Sequence, residues 1–141
     1  MANSNSKRII QEGPRNAVVE LVGNLDTSAA TFTVAPAITL AEFTNNDPIP
    51  GPLTGFSLEW VQYSISDGLA IQLLWNATTD RLMVGLSGHD NLDFRPAGGL
   101  QPVPGDVGYD GEINLLVNNI VVAAGTPIQT YTLLLFLTKK Y

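Results

Sequence analysis

Apolar and polar residues alternate along most of the chain with the period of two that β-strands produce. The clearest such segments are NAVVELVG at 16–23, TFTVAPAITL at 31–40, FSLEWVQYSIS at 56–66, EINLLVNN at 112–119 and QTYTLLLFLTKK at 129–140. No segment carries apolar residues at helical spacing over three turns with a cap at each end. Seven or eight short strands joined by glycine- and proline-rich turns predict an all-β, antiparallel sandwich or barrel.

A hairpin between residues 69 and 86 predicts part of the core. Its inner face is wholly apolar and consists of Leu69, Ile71, Leu73, Trp75, Leu82, Val84 and Leu86. The opposite face carries Leu74 and Met83, which predicts partial cover by a neighbour. In 31–40, Pro36 lacks the amide hydrogen that a ladder needs, so this segment is expected to be an edge strand or two short strands with a bend.

The last strand is apolar on both of its faces between Leu133 and Leu137. Such a strand is normally covered on both sides, whereas a single small sandwich has only one interior. We therefore expect Leu134 and Phe136, together with Leu74 and Met83, to make contacts between subunits. The alternative is that a helix or loop of the same chain covers them.

Composition strengthens the case for a partner chain. The 141 residues suit one domain, and only 14% are charged, against about 25% in ordinary soluble domains. The absence of cysteine excludes disulfides and zinc–thiolate sites. The start of the chain has no signal-peptide pattern, and the apolar run 133–137 is far shorter than the roughly 20 residues of a membrane helix. We expect a soluble protein made in a cytosol.

Charge is distributed unevenly along the chain. Between residues 16 and 138, two basic residues (Arg81 and Arg95) face twelve acidic ones, which gives this part a net charge of −10. Such a body repels phosphate, so nucleic acid is not expected as a partner. Basic residues at the N-terminus fit docking on an acidic surface, and the alternative is a frayed, solvated end.

The single histidine is the first place to look for chemistry. His89 lies near Asp90 and Asp93, a set that could bind a cation or transfer a proton. The spacing matches no calcium loop, and the second histidine typical of zinc or iron sites is missing. The pattern therefore favours a polar turn over a metal site.

Other candidates for catalysis are no stronger. Glu20, Glu59 and Glu112 are predicted to face outward, but their spacing does not identify a glycosidase pair. No serine lies in a G-x-S-x-G motif, and the glycine-rich stretches are not followed by a phosphate-binding helix. Aromatic side chains could line a sugar groove, although core packing is the commoner use; they are Trp60, Trp75, Tyr63, Tyr109, Tyr131 and Tyr141. We expect no enzyme, cofactor, metal or small-molecule substrate.

Three segments together resemble a known class of protein. They are 7-KRIIQEGPRNAVVELVG-23, 63-YSISDGLAIQLLWNATTDRLMVGLSG-88 and the ending YTLLLFLTKKY. They resemble the decoration, or cement, proteins of tailed-bacteriophage heads, which bind outside the shell of the major capsid protein. The resemblance implies a β-sandwich, often of jelly-roll type, that assembles as a trimer on the capsid, in several cases with an N-terminal arm. It implies no catalytic residues.

These observations combine into one set of predictions. Residues 1–15 form an extended arm, turned away at Gly13-Pro14, and residues 16–141 form one jelly-roll-like β-sandwich. The resemblance implies a homotrimer that binds the major capsid protein on the virion exterior, stabilises the head and is assembled in the bacterial cytoplasm, and no nucleic acid or membrane is expected as a partner. The predicted capsid and subunit contacts are Lys7, Arg8, Ile9, Ile10, Arg15, Leu74, Met83, Leu134 and Phe136. The alternative is a tail or fibre module that binds host glycans through its aromatic residues or the loop 91–111.

Overall fold

The computed structural model describes residues 3–26, 29–43, 52–122 and 128–141. Within these ranges the chain forms β-strands and two short 3₁₀ turns, at Leu40–Glu42 and Arg95–Ala97. The strands are β1 (Ser4–Glu12), β2 (Asn16–Leu25), β3 (Phe32–Ile38), β4 (Gly55–Ile65), β5 (Ala70–Trp75), β6 (Arg81–Leu86), β7 (His89–Asp93), β8 (Ile113–Asn118) and β9 (Gln129–Lys140).

The strands form two antiparallel sheets that pack against each other as a β-sandwich, which confirms the predicted fold class. The five-stranded sheet has the order β1-β2-β9-β4-β7, and the four-stranded sheet has the order β3-β8-β5-β6. Pairing is nested along the chain, because β2 pairs with β9, β3 with β8, β4 with β7 and β5 with β6. Strand β3, which contains Pro36, lies at a sheet edge as predicted. The finer prediction of a jelly roll stays a prediction.

The core lies between the sheets and is built by alternate residues. β9 is a central strand, because it pairs with β2 on one side and with β4 on the other along most of its length. Its inward side chains lie against the opposite sheet and are fully buried. The largest completely buried side chains are Tyr131, Phe56, Leu21, Leu25, Ile38, Leu58, Leu69, Ile71, Leu73, Ile113, Leu115 and Leu133. Burial of this kind is the main favourable term in folding.

The predicted N-terminal arm is not confirmed, because residues 4–12 are a strand of the sandwich. Strand β1 pairs with β2 from Ser4 opposite Asn24 to Glu12 opposite Ala17. An edge strand needs only one neighbour, and β1 holds its place with half of its side chains against the domain. The proposed boundary between residues 15 and 16 falls in the turn between β1 and β2.

Two β-bulges change which side chains face the core. In β4 the register shifts between Leu58 and Trp60, so Val61 points inward and Trp60 outward. In the β5–β6 pair the register shifts at Leu73/Leu74 and leaves Met83 without a cross-strand partner. Met83 consequently packs against the core and Leu82 is 54% exposed. The expectations that Leu82 faces inward and Met83 outward are therefore wrong.

Other turn predictions have mixed outcomes. Residues 89–93, predicted as a polar turn, form the edge strand β7. Its register with β4 runs from Ser64 opposite His89 to Trp60 opposite Asp93. Of the predicted connectors, residues 27–28 of the turn 24–28, residues 45–51 of the turn 45–55 and the whole turn 125–127 lie outside the described residues.

Candidate functional site

An apolar row crosses the outer face of the five-stranded sheet. It consists of Val18 on β2, Phe136 on β9 and Trp60 on β4, which are direct cross-strand partners. The rings of Trp60 and Phe136 are stacked, with centroids 4.6 Å apart and planes inclined by 19°. This row explains the second apolar face of the last strand: Phe136 and Leu134 are half-buried on the outside, whereas Leu133 and Leu135 fill the core.

Arg95 continues the apolar row at the β7 edge. Its guanidinium lies 5.3 Å from the centroid of the Trp60 ring, a favourable cation–π arrangement. Asp93 fixes the guanidinium through two hydrogen bonds, of 2.9 Å from Nε and 2.7 Å from Nη2. The hydrogen bonds from the Arg95 side chain lower the pKa of Asp93 to about 2. Phe136 and Arg95 thus both pack against the Trp60 ring, on which a sugar would have to stack.

Beside the apolar row runs an open groove of about 550 Å³. Its lining residues are Gln11, Asn16, Ala17, Val18, Glu59, Trp60, Arg95, Phe136, Leu137 and Thr138. A second depression of about 380 Å³ on the same face includes Glu20, Gln62, His89 and Leu134. Large apolar surface with an aromatic residue and an arginine is the composition typical of protein interfaces.

The structure separates the predicted N-terminal contact residues. Lys7 is used inside the domain, where Nζ donates to the carbonyl of Ala37 at 2.8 Å and pairs with Glu42. Burial raises the pKa of Glu42, but the hydrogen bonds from Lys7 and Thr39 outweigh it, so the net pKa is lowered. Ile9 packs on the core.

The remaining N-terminal candidates are on the surface. Arg8 has a 69% exposed side chain and pairs with Glu20 at 3.2 Å. Ile10 is 47% exposed, and Arg15 is exposed in the turn between β1 and β2.

The four predicted subunit contacts do not form one surface. Leu134 and Phe136 lie on the outside of the five-stranded sheet, but Leu74 lies on the outside of the four-stranded sheet, opposite Leu82. Met83 packs toward the core. These contacts therefore lie on separate outer patches of the two sheets, and the patch on the five-stranded sheet contains the stacked pair Trp60 and Phe136.

The loop between β7 and β8 is held against the domain at several points. Leu100 exchanges two backbone hydrogen bonds with Leu58, of 3.0 and 2.8 Å. Arg81 binds both carboxylate oxygens of Asp106, at 2.6 and 2.8 Å, and the hydrogen bond from Arg81 lowers the pKa of Asp106. Gly108 has φ of 80°, and a Cβ there would lie 2.4 Å from the Thr78 hydroxyl. This loop presents Val107, which is 79% exposed.

A cleft of about 480 Å³ lies beside this loop. It is lined by Thr78, Thr79, Asp80, Arg81, Asp106 and Val107. The adjacent polar side chains form a network, in which Asn114 Nδ2 donates to Asn76 at 2.8 Å and to Asp80 at 2.9 Å, while the Oδ1 atom of Asn114 is buried without a hydrogen-bond partner among the described residues.

The residues that the sequence suggested for metal binding or catalysis do not form one cluster, and several of their carboxylates bind different neighbours. Asp93 is held by Arg95, Glu20 by Arg8, and Glu59 accepts a 2.8 Å hydrogen bond from Ser57. Glu112 accepts from the Leu40 amide at 3.3 Å. In the part of the chain that the structure describes, no group of three or more histidine, cysteine, aspartate or glutamate residues is placed to hold a metal ion.

Comparison with protein-family models, with curated proteins and with solved structures finds no match to this chain. Across residues 3–26, 29–43, 52–122 and 128–141, no helix has the length and apolar character needed to cross a membrane.

Proposed function

We propose that this chain is a structural virion protein that decorates the outside of a tailed-phage capsid and stabilises the head. In this proposal it binds the major capsid protein as a homotrimer, has no catalytic role and is assembled in the bacterial cytoplasm. The observation that carries the proposal is the apolar row Val18–Phe136–Trp60 with Arg95 at its end. One copy leaves this row and its groove open, and protein contact is the use to which they are best suited.

Connectivity and surface composition support the proposal. The nested pairing of β2 to β9 favours a jelly roll, an eight-stranded double-sheet architecture found in viral capsid and lectin domains. Because one fold hosts many functions, this support is only at the level of the class. A charged content of 14% leaves less ionic surface than a free monomer normally carries.

The mechanism would be mechanical. A trimer that binds across neighbouring capsid subunits adds interface to the intact shell and none to the opened one, so mass action favours the closed shell. Each decorated site then raises the free energy needed to open the head against its packaged DNA.

Binding to heads that lack the protein tests the proposal. Purified protein should sediment with such heads and raise the temperature at which they release DNA. Replacement of Trp60 by alanine should weaken binding at least tenfold, because it removes the ring that stacks on Phe136 and contacts Arg95. The matched control Val121→Ala changes a 47% exposed residue away from the row and should bind as the wild type does. Failure of the wild-type chain to bind at micromolar concentration would contradict the proposal.

The alternative function is a tail or fibre module that binds host surface glycans. The cleft at 78–81 and 106–107 favours it, because hydroxyl, carboxylate and guanidinium groups line it and such groups hydrogen-bond to sugars. Binding on a glycan array that is lost on Asp80→Ala, with capsid binding absent, would support this function over decoration.

A further inference from the structure

The two sides of the sandwich carry opposite charge near the same end of the strands. We define the groove surface as the apolar row with its groove. The charged residues in the groove lining are Glu59 and Arg95. With Asp93, which pairs with Arg95, and with Arg15 and Lys140, which are close along the chain to the lining residues Asn16 and Thr138, the formal charges sum to +1. We define the loop surface as the tip formed by Leu82, Val107 and the charged residues around them; those are Asp80, Arg81, Asp106 and Asp110, which sum to −2.

Shape is complementary as well. The loop surface projects two exposed apolar side chains, Val107 at 79% and Leu82 at 54%. The groove surface offers a depression of about 550 Å³ floored by Phe136 and Trp60. An exposed apolar projection on an acidic tip and an apolar groove with basic neighbours are a matched pair.

The projection is also held in place before any contact forms. The two Arg81–Asp106 hydrogen bonds and the 2.9 Å bond from the Thr78 amide to the Val107 carbonyl fix the loop. A preorganised loop loses little conformational entropy on binding, so more of its contact energy is retained as affinity.

We propose that copies of this chain associate head to tail, with the loop surface of one copy packed into the groove surface of the next. The occupant of the groove is thus a second copy of this chain. Because the two surfaces differ, the contact is heterologous, and heterologous contacts form a ring when the rotation between copies closes. This inference rests on the proposed function, since it supplies the interface for the trimer.

Complementation between two variants tests the contact. The loop variant Leu82→Asp/Val107→Asp puts charge on two exposed residues, and the groove variant Gln11→Glu/Thr138→Glu puts negative charge on the groove lining. Each alone should be monomeric by light scattering at micromolar concentration, where the wild type is a higher multiple of 15.1 kDa. Mixed in equal amounts, they should form a species of twice 15.1 kDa, because the mixture keeps one intact pair of surfaces.

A control and two contrary outcomes sharpen the test. Val121→Asp/Val122→Asp changes two residues that are 47% and 53% exposed beyond the far end of β8, and it should leave the mass unchanged. Circular dichroism melts of every variant separate loss of association from loss of fold. An oligomer that tolerates both variants, or variants that do not complement, would overturn this contact and leave capsid decoration standing. A wild-type chain that stays monomeric yet binds heads would overturn the contact and the trimer but leave capsid decoration standing. A wild-type chain that stays monomeric and does not bind heads would overturn both proposals.

Discussion

The two sheets of the sandwich differ in how tightly they are built. The central strands of the five-stranded sheet, β2, β9 and β4, are 10, 12 and 11 residues long. The strands of the four-stranded sheet have 6 or 7 residues. Long strands pair and bury more side chains, so more of the buried core residues come from the five-stranded sheet. The segment around Val107 is instead anchored to the four-stranded sheet, through the pair Arg81–Asp106.

This contrast indicates that equivalent substitutions should have unequal effects on the two sheets. In the five-stranded sheet, Gly23 lies against the ring of Tyr131. The side chain of Lys139 is fully buried, and its partner Glu12 is 14% exposed. In the four-stranded sheet the corresponding glycine is open and the corresponding ion pair is on the surface. Substitutions at these matched positions should therefore change the free energy of unfolding by unequal amounts in the two sheets.

The largest effect is expected at Gly23 in β2. A Cβ there would lie 1.8 Å from a ring carbon of Tyr131, which is itself fully buried and cannot move aside. We expect Gly23→Ala to lower the free energy of unfolding by about 4 kcal/mol, beyond the usual range for overpacking. The matched change in the other sheet is Gly85→Ala, because a Cβ at Gly85 meets nothing within 4 Å. It should stabilise the fold by about 0.5 kcal/mol. Urea unfolding measures both, and similar costs at the two sites would contradict the contrast.

The next effect is expected at the ion pair between β9 and β1. Lys139 Nζ lies 2.8 Å from Glu12, with side-chain exposures of 0% and 14%. Glu12→Gln removes the charge that compensates a buried ammonium, which should cost about 3 kcal/mol. Asp106→Asn makes the same change opposite Arg81, but that pair is exposed, so chemical denaturation should detect little loss. A Glu12→Gln variant as stable as the wild type would show that the buried charge is compensated elsewhere.

A smaller, pH-dependent effect is expected at Tyr131. Burial raises the pKa of its hydroxyl, which donates to Asn5 at 2.6 Å. Because the folded pKa lies above the ordinary value of 10.0, the contribution to stability is complete below about pH 10 and is lost as the pH rises through the folded pKa. Tyr131→Phe should cost about 1 kcal/mol at neutral pH for the lost hydrogen bond.

Unfolding measured above pH 10 tests the role of Tyr131, and Tyr109→Phe is the control variant. Tyr131→Phe should unfold less steeply above pH 10 than the wild type does. Burial also raises the pKa of Tyr109 on the β7–β8 loop, but that side chain is only partly covered. Tyr109→Phe should therefore change the alkaline limb less, and a larger change there would reverse the comparison between sheet and loop.

The fold could be predicted from the sequence where apolar and polar residues alternate regularly along a strand. In β2, β8 and β9 the period of two runs without interruption, so Val19, Leu115 and Leu135 could be placed in the core directly. Strand β1 was missed because its sequence, SNSKRIIQE, has too few apolar residues to show the alternation of a strand. Its part-buried positions include the basic residue Lys7, which is not apolar. Strand β7 was missed because its sequence, HDNLD, is almost wholly polar.

Trp60 and Arg95, unlike Phe136, were missed as parts of the candidate site for a different reason. A single inserted residue at a bulge moves every later side chain to the other face. In FSLEWVQYSIS, Phe56 and Leu58 share one phase whereas Val61 and Ile65 share the other. That conflict is a signal for a bulge near Glu59, and it would have placed Trp60 outside the core beside Phe136. The contact between Arg95 and the Trp60 ring joins residues of different elements and has no local signal.

The smallest effect is expected at Asp93, where the ion pair is exposed but touches the aromatic row. Hydrogen bonds from Arg95 lower the pKa of Asp93 from 3.8 to about 2. The contribution of the pair is present above about pH 4 and is lost as the pH falls through 2. Protonation then releases Arg95 from its position over Trp60, so the indole NMR resonance of Trp60 should shift with a midpoint near pH 2. Asp93→Asn should abolish that transition, whereas Asp106→Asn, which frees Arg81 on the other side of the sandwich, should preserve it. A Trp60 resonance that responds equally to both variants would mean that the two surfaces are coupled through the core rather than independent.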